Sequence, residues 1–302
     1  MIFEYALEPE MVAAWGDRNN HRFFLREFGP GQGRLVSRYP KRWARKVWES
    51  FGGGSDMDRK RLEELLARLQ DTMIKRRDYV WDDAETWLDN ALAEHNRHPF
   101  KAVLARNNPA YHPDILCEDD LPSPAWETPH GVTVKRKTTD MTAVIETMLG
   151  RCCWVKFIDP YFVKGKRGHK KSLQAFLKVL ASDRPVASLE RIEIHTSGDG
   201  ATADFLRNFY EDIIPKGLQI TLFQWQEKPG GQRLHNRYIL TDLGGVSFQH
   251  GLDTGAVGET DDINRLDLEQ FELRCKQYDS ATSTFDQAEE PLKITGTFRE
   301  WK

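Results

Sequence analysis

Leu234-His235-Asn236-Arg237-Tyr238-Ile239-Leu240-Thr241-Asp242 is rich in β-formers and is followed at once by Leu243-Gly244-Gly245, a turn signal. Two strands are predicted, Arg233 to Asp242 and Val246 to Leu252, joined as an antiparallel hairpin. Residues two apart on a strand share a face. His235 and Arg237 therefore point one way, and Asn236 and Tyr238 the other. An imidazole beside a permanent cation suits a phosphodiester. The ring can attack phosphorus, and the guanidinium can hold non-bridging oxygens in a bidentate grip. Asp242, at the strand end, can brace the turn or a partner side chain.

The hairpin adds His250. A Leu243-Gly244 loop sets His250 opposite Arg237, and a Gly244-Gly245 loop sets it opposite Ile239. Either register keeps His250 on the face of His235 and Arg237, so it is a candidate acid/base.

Upstream the pattern alternates. Val155 to Ile158 reads as a strand, and Leu173, Phe176, Leu177 and Leu180 mark a helix face. Arg191 to His195 is a second strand, Phe205, Phe209 and Ile213 mark a second helix, and Leu218 to Trp225 is a third strand. Strand–helix–strand–helix–strand predicts a mostly parallel sheet flanked by helices, with the hairpin joined to it. Phe271 to Tyr278 and Leu292 to Phe298 are expected as closing strands.

Residues 1–106 read as an all-α domain. Pro40 opens a segment ending at Gly52-Gly53-Gly54, and Ser55 is an N-cap for a helix from Asp56 to about Lys75, with Leu62, Leu65, Leu66 and Leu69 at helical spacing. Asp82 to His95 is a further helix, with Trp87, Leu88, Ala91 and Leu92 toward a core. Residues 107–130 hold five prolines and read as a linker or an irregular connector at the domain boundary, which leaves 131–302 as an α/β domain.

The 302 residues carry a net charge of −3, which does not by itself announce a polyanion binder. The distribution is uneven: residues 18–77 have 16 Lys/Arg against 7 Asp/Glu, and residues 251–290 have 3 against 11. This fits a basic face for nucleic acid, or two solvated surfaces that attract each other. Four cysteines without a C-x-x-C pair suggest neither a zinc site nor a disulfide framework, and reduced thiols fit the cytoplasm. No apolar stretch approaches a membrane span, and the first ten residues do not read as a signal peptide.

His235-x-Arg237-x-x-x-x-Asp242 resembles the HxKxxxxD signature of the phospholipase D superfamily, with Arg in place of Lys. The resemblance implies a nucleophilic His235 that forms a phosphohistidine, a phosphate clamp at Arg237, and no metal or other cofactor. This sequence departs from the family in three places. Arginine replaces the lysine, Gln249-His250-Gly251-Leu252-Asp253 stands where G-S-x-N is expected, and one HxK-like motif is present where the family uses two. An active enzyme would then be a homodimer with two His235 residues meeting, or would use His250 or His195 as its second acid/base. Phe157-Ile158-Asp159-Pro160-Tyr161-Phe162, the His-x-Arg strand and His250-Gly251-Leu252-Asp253 together are similar to the C-terminal phospholipase-D-like domain of the MIT-domain protein of cytokinesis. That domain has a degenerate site and binds phosphoinositide membranes. Similar domains occur in proteins of prokaryotic defence loci, where a nucleic-acid target is expected. The likeness covers about residues 150–275, and residues 1–130 resemble no family we can name.

Other candidates have two readings. Lys164, Lys166, Arg167 and Lys170 follow the first strand, where parallel sheets bind anions, or they form a plain basic loop. Asp159 and His195 end strands one and two and could line the cleft; Asp159 could instead shape a turn, and His195 could cap a helix. Arg42, Arg45 and Lys46 share a helix with Trp43 and Val47. They could hold nucleic-acid backbone, or be the wet side of an amphipathic helix. The expectation is a metal-independent phosphodiesterase, a nuclease on DNA or RNA. The alternative is a degenerate module that binds nucleic acid, anionic lipid or a partner protein, including a partner subunit of a multi-gene system.

Overall fold

Phe3-Glu4-Tyr5-Ala6-Leu7 forms β1, the centre of a four-stranded parallel sheet. Its neighbours are β2 (Arg34–Val36) on one side and β3 (Ala102–Leu104) on the other, with β4 (Ile115–Leu116) outside β3. The structure is a computed structural model that describes residues 1–70, 72–121, 123–162, 167–198 and 200–298. The chain is mixed α/β and divides into two compact units. The first holds Ile2–Pro129 together with Arg184–Ala187, and the second holds Met1, His130–Asp183 and Ser188–Lys302.

Alternation along the short strands of the first unit builds two cores. Tyr5, Leu7, Ala102, Leu104 and Leu116 face one way and meet α2 (Arg18–Glu27), α3 (Trp43–Ser50) and α4 (Asp56–Gln70) through Phe24, Trp43, Val47, Leu62, Leu65 and Leu69. Ala6, Val103 and Ile115 face the other way and meet Trp87 and Ala91 of α5 (Trp87–Arg97). The expectation of an all-α domain over residues 1–106 is therefore corrected. The strands are two to five residues long and covered on both faces, so they show no polar alternation. The proline-rich stretch 107–130 ends where the two units divide, but it is packed connector rather than free linker: β4 lies within it, and Trp126 is buried against Tyr5 and Phe28. The expected start at Ser55 is present as a reciprocal cap, with Asp58 N–H donating to Ser55 Oγ (3.2 Å) and Ser55 N–H to Asp58 Oδ2 (3.0 Å).

The second unit is built on a nine-stranded sheet. Its parallel centre is β6 (Trp154–Ile158), β7 (Arg191–Ser197) and β8 (Gln219–Gln226), linked by α7 (Arg167–Leu180) and α8 (Ala203–Tyr210). On the far side of β6 the sheet turns antiparallel, through β9 (Arg237–Thr241), β10 (Gly244–Phe248), β11 (Thr260–Arg265) and β5 (Gly131–Lys135). Two short strands, β12 (Asp286–Gln287) and β13 (Leu292–Thr295), run antiparallel to β8. The expected closing strand Phe271 to Tyr278 is instead part of α9 (Leu268–Gln277). Asp267 caps that helix by accepting from Gln270 N–H at 2.7 Å.

The first unit also buries ions. Arg76 donates to both carboxylate oxygens of Glu4 (2.8 and 2.7 Å) and to Glu94 Oε1 (2.6 Å), with all three side chains closed to solvent. Its guanidinium also lies 3.8 Å from the Phe100 ring centroid. Removing one member of such a set strands the others without compensation. Arg76→Ala is expected to lower stability by about 3–5 kcal/mol. Urea unfolding followed by circular dichroism checks this, and an unchanged midpoint would show that the carboxylates are relieved in another way.

Candidate functional site

Ile158 pairs with Tyr238 across β6 and β9, so the end of β6 lies beside the start of β9. Counting one step further sets Asp159 level with Arg237. The chain leaves β6 for β7 on one side, while β9 lies on the other. Such a reversal at strand carboxyl ends opens a crevice in α/β sheets.

Asp159 fixes this corner. It is fully buried, and its Oδ1 accepts from Tyr161 N–H (2.9 Å) while Oδ2 accepts from Leu252 N–H (2.9 Å) and lies 3.3 Å from His169 Nε2. Burial alone would raise its pKa. The hydrogen bond and charge of His169, with the two backbone N–H groups, outweigh burial and hold the carboxyl below its usual range. Gly251 passes in a left-handed conformation (φ 147°), and a Cβ there would stand 3.2 Å from Asp159 Oδ2.

The hairpin turn is Asp242-Leu243, one residue earlier than the Leu243-Gly244 loop and two earlier than the Gly244-Gly245 loop, since Thr241 pairs with Gly244 and Arg237 with Phe248. Thr241 Oγ1 organises it, accepting from Leu243 N–H (3.2 Å) and donating to the Gly244 carbonyl (3.1 Å). The ladder ends at Phe248 and Arg237, and Gln249 and His250 follow it as a bend.

His235 precedes β9 rather than lying on it, and is exposed. It shares a concavity of about 360 Å³ with Arg237 and Gln249. Arg237, half-buried, donates from Nη1 to the Gln249 carbonyl (3.3 Å) and sits 5.1 Å from the Tyr161 ring centroid. Its buried Nε makes no hydrogen bond among the described residues. His250 is exposed, and its backbone is held by Asp261, whose Oδ1 accepts from the N–H groups of Gln249 and His250 at 3.0 Å each. That oxygen is also 3.5 Å from His250 Nδ1. Asp261 is 1% exposed, and its Oδ2 has no hydrogen-bond partner among the described residues. Asp261 and His169 are not among the candidates read from the sequence, and Tyr161 enters there only within the stretch Phe157 to Phe162. Asp261 lies in the acidic run 251–290, which reads as a solvated surface until β11 carries it under the hairpin.

Two expected members are not here. Asp242 is at the far end of β9, roughly 16 Å along the strand from Arg237. There its Oδ1 accepts from the N–H groups of Cys153 (2.7 Å) and Trp154 (3.2 Å), at the start of β6. His195 pairs with Ile158, so it lies on the sheet face opposite Asp159. It stacks on Phe223 and Trp225, faces Glu193 Oε2 at 3.1 Å, and accepts from Trp225 Nε1–H at 3.0 Å on Nδ1. The proton is therefore on Nε2. Lys156 completes the set, 3.1 Å from Glu193 and donating to the Tyr278 carbonyl (2.6 Å).

Among the basic candidates, Lys164 and Lys166 lie outside the described residues. Arg167 is exposed at the start of α7. Lys170 pairs with Asp212 (2.8 Å) and lies 5.1 Å from the Phe209 ring centroid. Arg42, Arg45 and Lys46 belong to the first unit and line a concavity there, while Trp43 and Val47 of the same segment are core. Among the described residues no group of three or more His, Cys, Asp or Glu side chains is placed to hold a metal ion. No described helix is long and apolar enough to cross a membrane.

No protein-family model and no curated protein matches the chain. A solved structure of TrmBL2, described as an archaeal chromatin protein with a novel mode of DNA binding, aligns at 10% identity and a TM-score of 0.29. The alignment spans 56% of this chain and 57% of that one, and at this score it carries no argument.

Burial pushes the His195 imidazole down to about 4 from 6.5, against the upward pull of Glu193. As pH falls from 6.5 to 4, the unfolded chain takes up a proton that the folded chain refuses. The stability from neutral His195 is thus complete above 6.5 and lost through that window, about 3 kcal/mol in all. The depressed carboxylates Asp159 and Glu193 add their losses mainly below the ordinary carboxyl range. Urea midpoints should stay nearly level from pH 7.5 to 6.5 and then fall through 5.5 and 4.5 for the wild type, less steeply for His195→Gln. Parallel slopes would show that His195 is not the titrating group.

Proposed function

We propose that the second unit is a metal-independent phosphodiesterase with a phospholipase-D-like site, acting as a nuclease. The observation that carries this reading is the concavity shared by exposed His235 and half-buried Arg237. An imidazole nitrogen of His235 attacks phosphorus and forms a P–N bond as the P–O ester bond breaks. Arg237 holds the non-bridging oxygens, with the Gln249 carbonyl and the Tyr161 ring fixing its direction. His250, as imidazolium, gives its proton to the leaving oxygen. It then takes a proton from water, and the hydroxide attacks phosphorus and releases His235. Asp261 orients His250 from 3.5 Å. The histidine and arginine supply the nucleophile and the charge, so the reaction requires no metal.

The single His-x-Arg motif also favours a second reading, a module that binds phosphate groups without cleaving them. A nuclease assay separates the two, using single- and double-stranded DNA and RNA in excess EDTA. Wild-type cleavage should persist and should fall about a thousand-fold or more in His235→Ala. Asp261→Asn should slow it without abolishing it. Equal cleavage by wild type and His235→Ala would sink the catalytic assignment, and no cleavage from either would leave the binding module.

A further inference from the structure

Helix α3 turns Trp43 and Val47 into the core and its cations outward. Those cations face a segment that contributes two half-buried rings, Tyr79 and Trp81. Between them lies a concavity of about 440 Å³, within the range of small-molecule sites. Lys41, Arg42, Arg45 and Lys46 supply its charge. The rings are held in place: each packs edge-on against buried Tyr39, at centroid distances of 5.3 and 5.7 Å. The Lys41 backbone N–H donates to the Tyr79 hydroxyl (3.0 Å), and Trp81 Nε1–H donates to Asp83 Oδ1 (2.7 Å). Lys46 Nζ lies 5.0 Å from the Trp81 ring centroid. Of the two acids at the cleft, Asp83 is engaged by the indole and Glu49 by Arg45 (2.7 Å).

We propose that this cleft binds an unpaired nucleotide of a single-stranded nucleic acid, with its base on Trp81 and its phosphates on Lys41, Arg42 and Lys46. Cations alone would hold any polyanion. An oriented indole beside them adds a contact that only an unpaired base can use, because bases in a duplex are stacked on their neighbours. Lys46 moves from the ring to a phosphate as the base takes its place. The chemistry resembles that of single-strand binders, where stacking platforms are lined by positive charge. An acidic peptide would use the cations and leave the indole idle. The inference rests on the nucleic-acid part of the proposed function, not on its catalysis, and concerns the first unit alone.

Fluorescence anisotropy tests it with labelled twelve-residue oligodeoxythymidylate, the corresponding duplex and poly-glutamate. The full chain is used in EDTA and in the His235→Ala background, so that the strand stays intact. The single strand should bind most tightly. Trp81→Leu should weaken it about 5- to 100-fold, and Trp81→Phe should restore most of the loss. Lys46→Ala, which leaves the core untouched, should flatten the slope of log Kd against log salt by about 0.7. Unchanged binding by Trp81→Leu overturns the proposal, as does equal loss in Trp81→Phe, or poly-glutamate or duplex bound as tightly as the single strand. These outcomes are separate from the cleavage assay. His235-independent cleavage alongside Trp81-dependent binding removes the catalytic reading and keeps this one, and the converse pattern does the reverse.

Discussion

The carboxylate of Asp159 joins three parts of the second unit that are distant in sequence. It receives the backbone N–H of Tyr161 just after β6, the ring of His169 in the first turns of α7, and the N–H of Leu252 beyond β10. Each bond is made in a site closed to solvent, where an unpaired carboxylate would be costly and a satisfied one is rigid. The loop that carries His250 is thereby held against the end of β6, and Tyr161 is held where it meets Arg237. Asp261 does the same work from β11, binding the N–H groups of Gln249 and His250. The candidate site is exposed, but both carboxylates beneath it are buried. Its side chains can meet a ligand while its backbone stays fixed.

Much of this was legible in the second half of the sequence. The strand–helix–strand alternation from Val155 to Trp225 is the parallel centre of the sheet, because buried strands there are long enough to read as apolar runs. The antiparallel hairpin of β9 and β10 was legible too, although its turn falls earlier than either expected loop. What failed was pairing between strands. Asp159 and His195 could share a cleft because both end strands, but the register of β6 against β7 matches His195 to Ile158. A difference of one residue inverts the face. No local pattern reveals that register.

The first unit misled for a different reason. A strand is recognised by alternation, and alternation needs one wet face. Phe3–Leu7, Arg34–Val36, Ala102–Leu104 and Ile115–Leu116 are covered on both faces and are too short for an apolar run to stand out. Their helices were legible because α3, α4 and α5 each keep a polar side. The proline-rich stretch read as a linker because proline marks irregular backbone, yet irregular backbone can still be packed. Trp126 lies under the Arg34 guanidinium at 4.1 Å and accepts two hydrogen bonds from it on its carbonyl.

The histidines of the second unit show how environment divides one side chain among different tasks. His195 is closed in by two aromatic rings, accepts from an indole and faces a carboxylate, so its ring is locked in one tautomer and kept neutral. A group whose proton cannot leave or arrive near neutral pH is poorly suited to transfer one. It serves instead to satisfy Glu193 and Trp225 in a dry core. His235 and His250 lie just beyond β9 and β10 and are exposed, with Arg237 in the concavity of the first and a buried carboxylate against the second. Burial thus keeps His195 for the core, while His235 and His250 stand exposed, the second on a loop whose backbone is fixed by two buried carboxylates.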